Sequence, residues 1–285
     1  MEFEMNDIRF GEYRAVELLT ETTRLVLVTE VGPRIAFFGP RDTGKNVLFW
    51  NPPASERGDW HIYGGHRVWL SRPFGDESED TYTGDNAPCE VTKGADWVQA
   101  TAPVEKFTRT QRAIRVRFLK DNVFEVTNLI KNAGDLIYSG GVWNPTCIEP
   151  DGKIIRIPLG EKDVTWDLVK VVIPRVFCGN TLKLNDPQVT FTEDTLEIRS
   201  QGHVTKRCVC APQGLISMEW PEEKLLFTKH SEFNRDAHYP VGGCNIAAFV
   251  GEDNWMGELE TFGPERAIRP GETAENRETW TLTRL

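Results

Sequence analysis

Ile114-Arg115-Val116-Arg117-Phe118-Leu119-Lys120-Asp121-Asn122-Val123-Phe124-Glu125-Val126-Thr127-Asn128 is the stretch on which the fold turns. Ile114, Val116 and Phe118 alternate with Arg115 and Arg117. Phe124, Val126 and Asn128 alternate with Glu125 and Thr127. Successive side chains of a strand point to opposite faces, so such alternation buries one face and wets the other. Between the two runs, Leu119-Lys120-Asp121-Asn122 carries turn residues, and the whole reads as an antiparallel hairpin.

Working outward, further strand candidates occur at 24–29, 34–38, 47–50, 97–101, 153–157, 170–173, 188–191, 196–199, 225–228, 245–250 and 255–262, with a last strand at 278–285. They are short and punctuated by Gly, Pro, Asn and Asp, as in sandwiches and barrels. No long stretch carries an apolar stripe at the 3.6-residue period, and only short helical turns near 76–80 and 231–236 are expected. The longest irregular segments, 52–96 and 200–244, read as loops, and loops tend to carry the site. These signals predict an all-β fold, a large antiparallel β-sandwich formed as one domain over 1–285.

Composition narrows the function classes. The chain has 285 residues with 9 Trp and 15 Phe, enough for a large core. Net charge is −10 with no basic block, so no nucleic-acid partner is expected. No apolar run approaches the ~20 residues a membrane helix needs. The opening MEFEMNDIRFG has neither the basic nor the apolar region of a signal peptide. A cytoplasmic protein without a membrane partner is expected, its six cysteines (Cys89, Cys147, Cys178, Cys208, Cys210, Cys244) reduced. Cys208-Val209-Cys210 lacks the paired partners of a zinc site. Asp76-Glu77-Ser78-Glu79-Asp80 lacks the spacing of a calcium loop. Gly39-Pro40-Arg41-Asp42-Thr43-Gly44-Lys45-Asn46 has phosphate-loop spacing, but Asn46 replaces the magnesium-binding hydroxyl and no helix follows. No metal and no cofactor is read from the sequence.

Candidate site residues come from a few islands. Glu258-Leu259-Glu260-Thr261 sets two carboxylates on one face of a strand, and Arg269-Pro270-Gly271-Glu272-Thr273 marks a turn before the last strand. Gly64-Gly65-His66-Arg67-Val68-Trp69 follows a double glycine, which frees the backbone to approach a ligand. In that segment His66 offers an acid–base group and Arg67 a planar fork for hydroxyls, a carboxylate or a phosphate. Trp60, Tyr63, Trp69 and Trp143 could stack on the C–H face of a pyranose. Trp97, Trp166, Trp255 and Trp280 read as core. His238, just before the C-terminal strands, is a further candidate.

These islands, with Gly32-Pro33-Arg34-Ile35 and Gly44-Lys45-Asn46-Val47-Leu48, resemble the galactose mutarotase-like proteins, the aldose 1-epimerases. The pattern is closest to a mutarotase-like family of unknown function that combines the Gly-Gly-His-Arg-x-Trp element with a Glu-Leu-Glu strand. The resemblance implies a sugar pocket containing Glu260 as general base, with Glu258 nearby. The double glycine, which frees the chain to bring both inward, adds the expectation that His66 and Arg67 line the same concavity as Glu260. Aldose epimerases use two histidines as well. In the region corresponding to one of them this chain reads Ser139-Gly140-Gly141-Val142-Trp143-Asn144-Pro145, so Trp143 and Asn144 stand near its place and His66 is the candidate imidazole. The expected partner is a small-molecule carbohydrate. Three activities stay open: an epimerase-like enzyme, a carbohydrate binder without turnover, and a lyase or hydrolase on the same scaffold.

Overall fold

The computed structural model describes residues 3–52, 56–57, 60–72, 86–160, 170–175 and 183–285, with the backbone alone for 56–57 and 60. The 76–80 charge run, Trp166, Cys178 and the Trp60 side chain lie outside the described residues. Among the described residues 56% are in strand and 3% in helix, in keeping with alternation without a helical stripe.

Among the described residues two large antiparallel sheets face each other. One orders Val189–Phe191, Thr195–Arg199, Ile154–Pro158, Leu215–Trp220, Leu225–Ser231, Thr273–Arg284, Val123–Asn132, Thr110–Lys120, Trp97–Thr101 and Glu90–Lys93. The other orders Val172–Pro174, Thr205–Val209, Ile246–Val250, Gly257–Phe262, Tyr138–Ile148 and Arg266–Ile268, with Trp69–Ser71 also pairing with Tyr138–Ile148. A further sheet, Glu4–Phe10, Tyr13–Leu19, Thr23–Val28 and Arg34–Pro40, completes the sandwich. Leu259 and Ile148 from one large sheet pack with Phe227, Val126 and Trp280 from the other in one core. Each such side chain stabilises the fold by about 1.5–3 kcal/mol when fully buried.

The founding hairpin forms as read. Val116 pairs with Val126 and Phe118 with Phe124, and Asn122 takes a left-handed φ of 59° at the turn. The turn does a second job: Asp121 accepts hydrogen bonds from the hydroxyls of Thr20 (2.5 Å) and Thr22 (2.7 Å), tying the four-stranded sheet to the hairpin.

Several expectations are corrected. The apolar run at 47–50 is buried but makes no strand; its residues bond irregularly, Val47 N–H to Phe38 O and Phe49 N–H to Cys147 O. The segment 200–244 is not a long loop, because Thr205–Val209, Leu215–Trp220 and Leu225–Ser231 lie within it. No helix forms at 231–236: Ser231 ends a strand, and a single reverse turn follows, closed by the Ala237 N–H on Asn234 O; Pro240–Gly243 is likewise a turn, with left-handed φ at Val241 (51°) and Gly242 (70°). Trp255 is 42% exposed rather than core, whereas Trp280 is fully buried.

Candidate functional site

Strand parity builds the site. On Gly257–Phe262, Leu259 and Thr261 face the other large sheet, while Glu258, Glu260 and Phe262 face away from it. The neighbouring strand Tyr138–Ile148 obeys the same alternation, with Cys147 opposite Glu258, Pro145 opposite Glu260 and Trp143 opposite Phe262. The outer face of the seven-stranded sheet therefore carries both carboxylates together with Trp143. The double glycine then delivers Arg67 and Trp69 to this face. Gly64 and Gly65 have φ of 95° and 72°, and a Cβ on Gly65 would lie 2.4 Å from the carbonyl oxygen of Ile35. Gly65→Ala is expected to cost more than about 1 kcal/mol of stability, read as a fall in the urea midpoint, since it adds a left-handed strain to a clash. From this bend His66 pairs with Ile35, and the Arg67 N–H bonds Pro145 O, so the segment bridges two sheets.

Two buried ion pairs organise the face. Arg67 Nη2 donates to Glu258 Oε1 at 2.5 Å, and its guanidinium lies 4.2 Å from the Trp69 ring centre. Lys206 Nζ sits 3.2 Å from Glu260 Oε2 and 5.0 Å above the Trp143 ring, and the Trp143 indole N–H donates to the same oxygen at 2.8 Å. Trp69 and Trp143 meet edge to face with centres 5.0 Å apart, and Trp143 stacks on Phe262. Burial pushes the Cys147 thiol up to about 12, so it stays protonated and donates to Glu258 at 3.6 Å. The arrangement holds a proton donor and a carboxylate acceptor side by side next to aromatic rings.

The structure does not bring every sequence candidate to this face. His66 lies on the opposite side of the sheet, fully buried in the core between the two large sheets. The expectation that it shares one concavity with Glu260 is corrected by parity: His66 and Arg67 are adjacent, so only one can point outward. The His66 ring bonds Asn128 Oδ1 through Nε2 (2.9 Å) and Thr146 Oγ1 through Nδ1 (2.8 Å). A carbonyl oxygen only accepts, so Nε2 carries the proton and the Thr146 hydroxyl donates to Nδ1. Burial is the main cause that lowers the imidazole to about 4, against the pull of Glu278, so the ring is neutral at pH 7. Asn144 also points inward, where Asn276 Nδ2 donates to its Oδ1 at 2.7 Å. His238 is exposed, three positions before Val241, which packs against Trp69 and Trp143. Tyr63 belongs elsewhere, stacked on His61 at 4.0 Å and beside Trp50.

Three charged residues escaped the sequence reading. Lys206 is one. The others are Lys229 and Glu278, a fully buried pair 3.0 Å apart directly behind the Glu260 strand. Lys229 also donates to Thr146 Oγ1 (2.7 Å), Leu259 O (3.0 Å) and Asn144 O (3.3 Å). Its ammonium thus grips the backbone of both strands that present Glu258, Glu260 and Trp143. Burial alone would raise the Glu278 carboxyl, but Lys229, His66, Thr261 and the Trp280 indole outweigh it and hold it below its ordinary value. A signal was present: Leu225, Phe227, Lys229 and Ser231 share one parity, as do Asn276, Glu278, Trp280 and Leu282, so a charge stood in each inward row.

No protein-family model matches the chain, and no curated protein matches it in sequence. Solved structures do. A putative aldose 1-epimerase from Escherichia coli superposes with a TM-score of 0.63 at 11% identity, over 100% of both chains. A galactose mutarotase-like protein from Lactobacillus casei gives 0.60 at 8% identity, covering 94% of this chain and 100% of that one. A TPR-domain containing protein from Parabacteroides distasonis gives 0.64 at 16% identity over 95% of this chain, which spans only 47% of that protein. Identities this low speak to architecture rather than activity. The chain has the galactose mutarotase-like fold, a large antiparallel β-sandwich.

Proposed function

We propose that the protein binds a sugar or sugar derivative on the outer face of the seven-stranded sheet, with Glu260 accepting a hydroxyl proton or hydrogen bond. The carrying observation is the buried constellation of Glu260, Lys206 and the Trp143 indole. A carboxylate and an ammonium 3.2 Å apart can address neighbouring oxygens of one ring, and the paired aromatics supply the apolar wall that a pyranose face seeks. Arg67 and Glu258 extend the same donor–acceptor pattern.

A second reading, anomer interconversion, is favoured by one feature. Ring opening needs a base at the anomeric hydroxyl and an acid at the ring oxygen, both within hydrogen-bond reach. The expected imidazole faces away, but the Lys206 ammonium stands in reach of the same place. Substituting Glu260→Gln keeps the shape and removes the charge. For binding alone, calorimetry across a panel of sugars should show affinity weakened by about tenfold to a hundredfold, since a charge-assisted hydrogen bond is worth about 1.5–3 kcal/mol. For turnover, NMR exchange between anomers should slow by roughly 10²–10⁴-fold. A native chain that binds no sugar in the panel, or a variant with unchanged affinity and exchange, would end the proposal.

A further inference from the structure

Three loops meet at one end of the sandwich, and they are built to stay there. Asn132 is buried at the meeting point: its side-chain amide donates to Leu136 O (2.7 Å) and Ile268 O (2.8 Å), and its backbone N–H bonds Glu272 O. The Ala133 N–H bonds Arg109 O, which joins the loop after Asn132 to the hairpin turn at 105–109. In that turn Glu105 accepts the backbone N–H of Phe107 and of Thr108, fixing the tip. From this rigid base three large apolar side chains project into solvent: Phe107 is 75% exposed, Leu136 83% and Ile137 63%. Single exposed apolar residues are ordinary, but three on adjoining pinned loops form a patch.

The charge around the patch runs against the rest of the chain. Lys106, Arg109 and Arg269 are exposed beside it, and Lys106 lies over the Phe107 ring. Among the described residues, the carboxylates of these loops are Glu105, buried in its turn, Glu272, paired with Arg266 and Arg269, and Asp135. This cationic rim stands on a protein of net charge −10. Two copies meeting patch to patch would oppose like charges. A flat anionic surface that accepts apolar tips satisfies both halves of the pattern.

We propose that this end docks reversibly on a lipid surface bearing anionic headgroups, with Phe107, Leu136 and Ile137 entering the interface and Lys106, Arg109 and Arg269 at headgroup level. The sequence expectation of no membrane partner rests on the absence of a spanning segment, and among the described residues no helix is long and apolar enough to cross. Surface docking needs no such helix. The inference is independent of the sugar site.

The test is co-sedimentation of the full chain with vesicles of phosphatidylcholine and phosphatidylserine in equal parts, against phosphatidylcholine alone. The native chain should bind the mixed vesicles preferentially, and binding should weaken as salt rises. The double variant Phe107→Ser/Leu136→Ser should lose binding at least about tenfold, because two large apolar side chains no longer leave water. Lys106→Glu/Arg109→Glu should abolish the preference for phosphatidylserine. These positions are exposed, so an unchanged urea midpoint shows that the variants fold. No binding by the native chain would overturn the proposal. Equal binding by native chain and both variants would overturn it too.

Discussion

Lys229→Met is expected to destabilise the protein by about 3–5 kcal/mol, the usual cost of removing one partner from a buried ion pair. Methionine matches the length of the lysine stem, so packing changes little. What remains is the Glu278 carboxylate, fully buried and held ionised, with its Lys229 counter-charge gone. The carbonyls of Leu259 and Asn144 lose a donor as well. Equilibrium urea denaturation reads the effect directly. Adding Glu278→Gln should recover part of the loss, because the amide removes the stranded charge, and the double-mutant cycle should show a coupling of about 1–3 kcal/mol. A single-variant cost below about 1 kcal/mol would mean that the pair does not hold the sheets together.

Stability should also fall steeply in mild acid. His66 titrates near its ordinary 6.5 when unfolded and at about 4 when folded. Between these values the unfolded chain binds more protons, so stability rises with pH across the window. The contribution is complete above pH 6.5 and is lost as pH falls towards 4, about 3 kcal/mol in all. Glu278, also lowered, adds a loss of the same sign as pH drops below the ordinary carboxylate range. Urea midpoints measured from pH 7 to pH 4.5 should decline, and His66→Gln should flatten the upper part of that decline. A native profile flat over the same range would contradict the neutral buried imidazole.

Much of the fold was legible because parity is a strong signal. The hairpin at Ile114 to Asn128 carried the turn and both faces in plain alternation, and the strand Trp97–Thr101 falls where its apolar pattern placed it. The strand Thr205–Val209 was missed because it is buried on both sides, and Thr-Lys-Arg-Cys-Val shows no apolar alternation. The site was half legible. Glu258 and Glu260 share a face because they are two apart, and the double glycine does bend the chain so that Arg67 meets Glu258. Which neighbour would turn inward was not legible. His66 and Arg67 both suit a site chemically, and the choice was made by the register of the bridge to Ile35 and Thr146, a long-range fact. Lys206 reaches Glu260 across an intervening strand, Ile246–Val250, a contact no local window contains.

The central claim, a sugar on the Glu260 face, is tested most directly at the Trp143 indole N–H, which already touches Glu260. In a ¹⁵N-tryptophan sample, with the resonance assigned through Trp143→Phe, titration with the sugars of the panel should shift the Trp143 and Trp69 signals saturably. Trp280, bonded to Glu278 on the far side of the sheet, should move far less. Saturable shifts confined to other tryptophans, with Trp143 unmoved by a sugar that binds, would contradict the account.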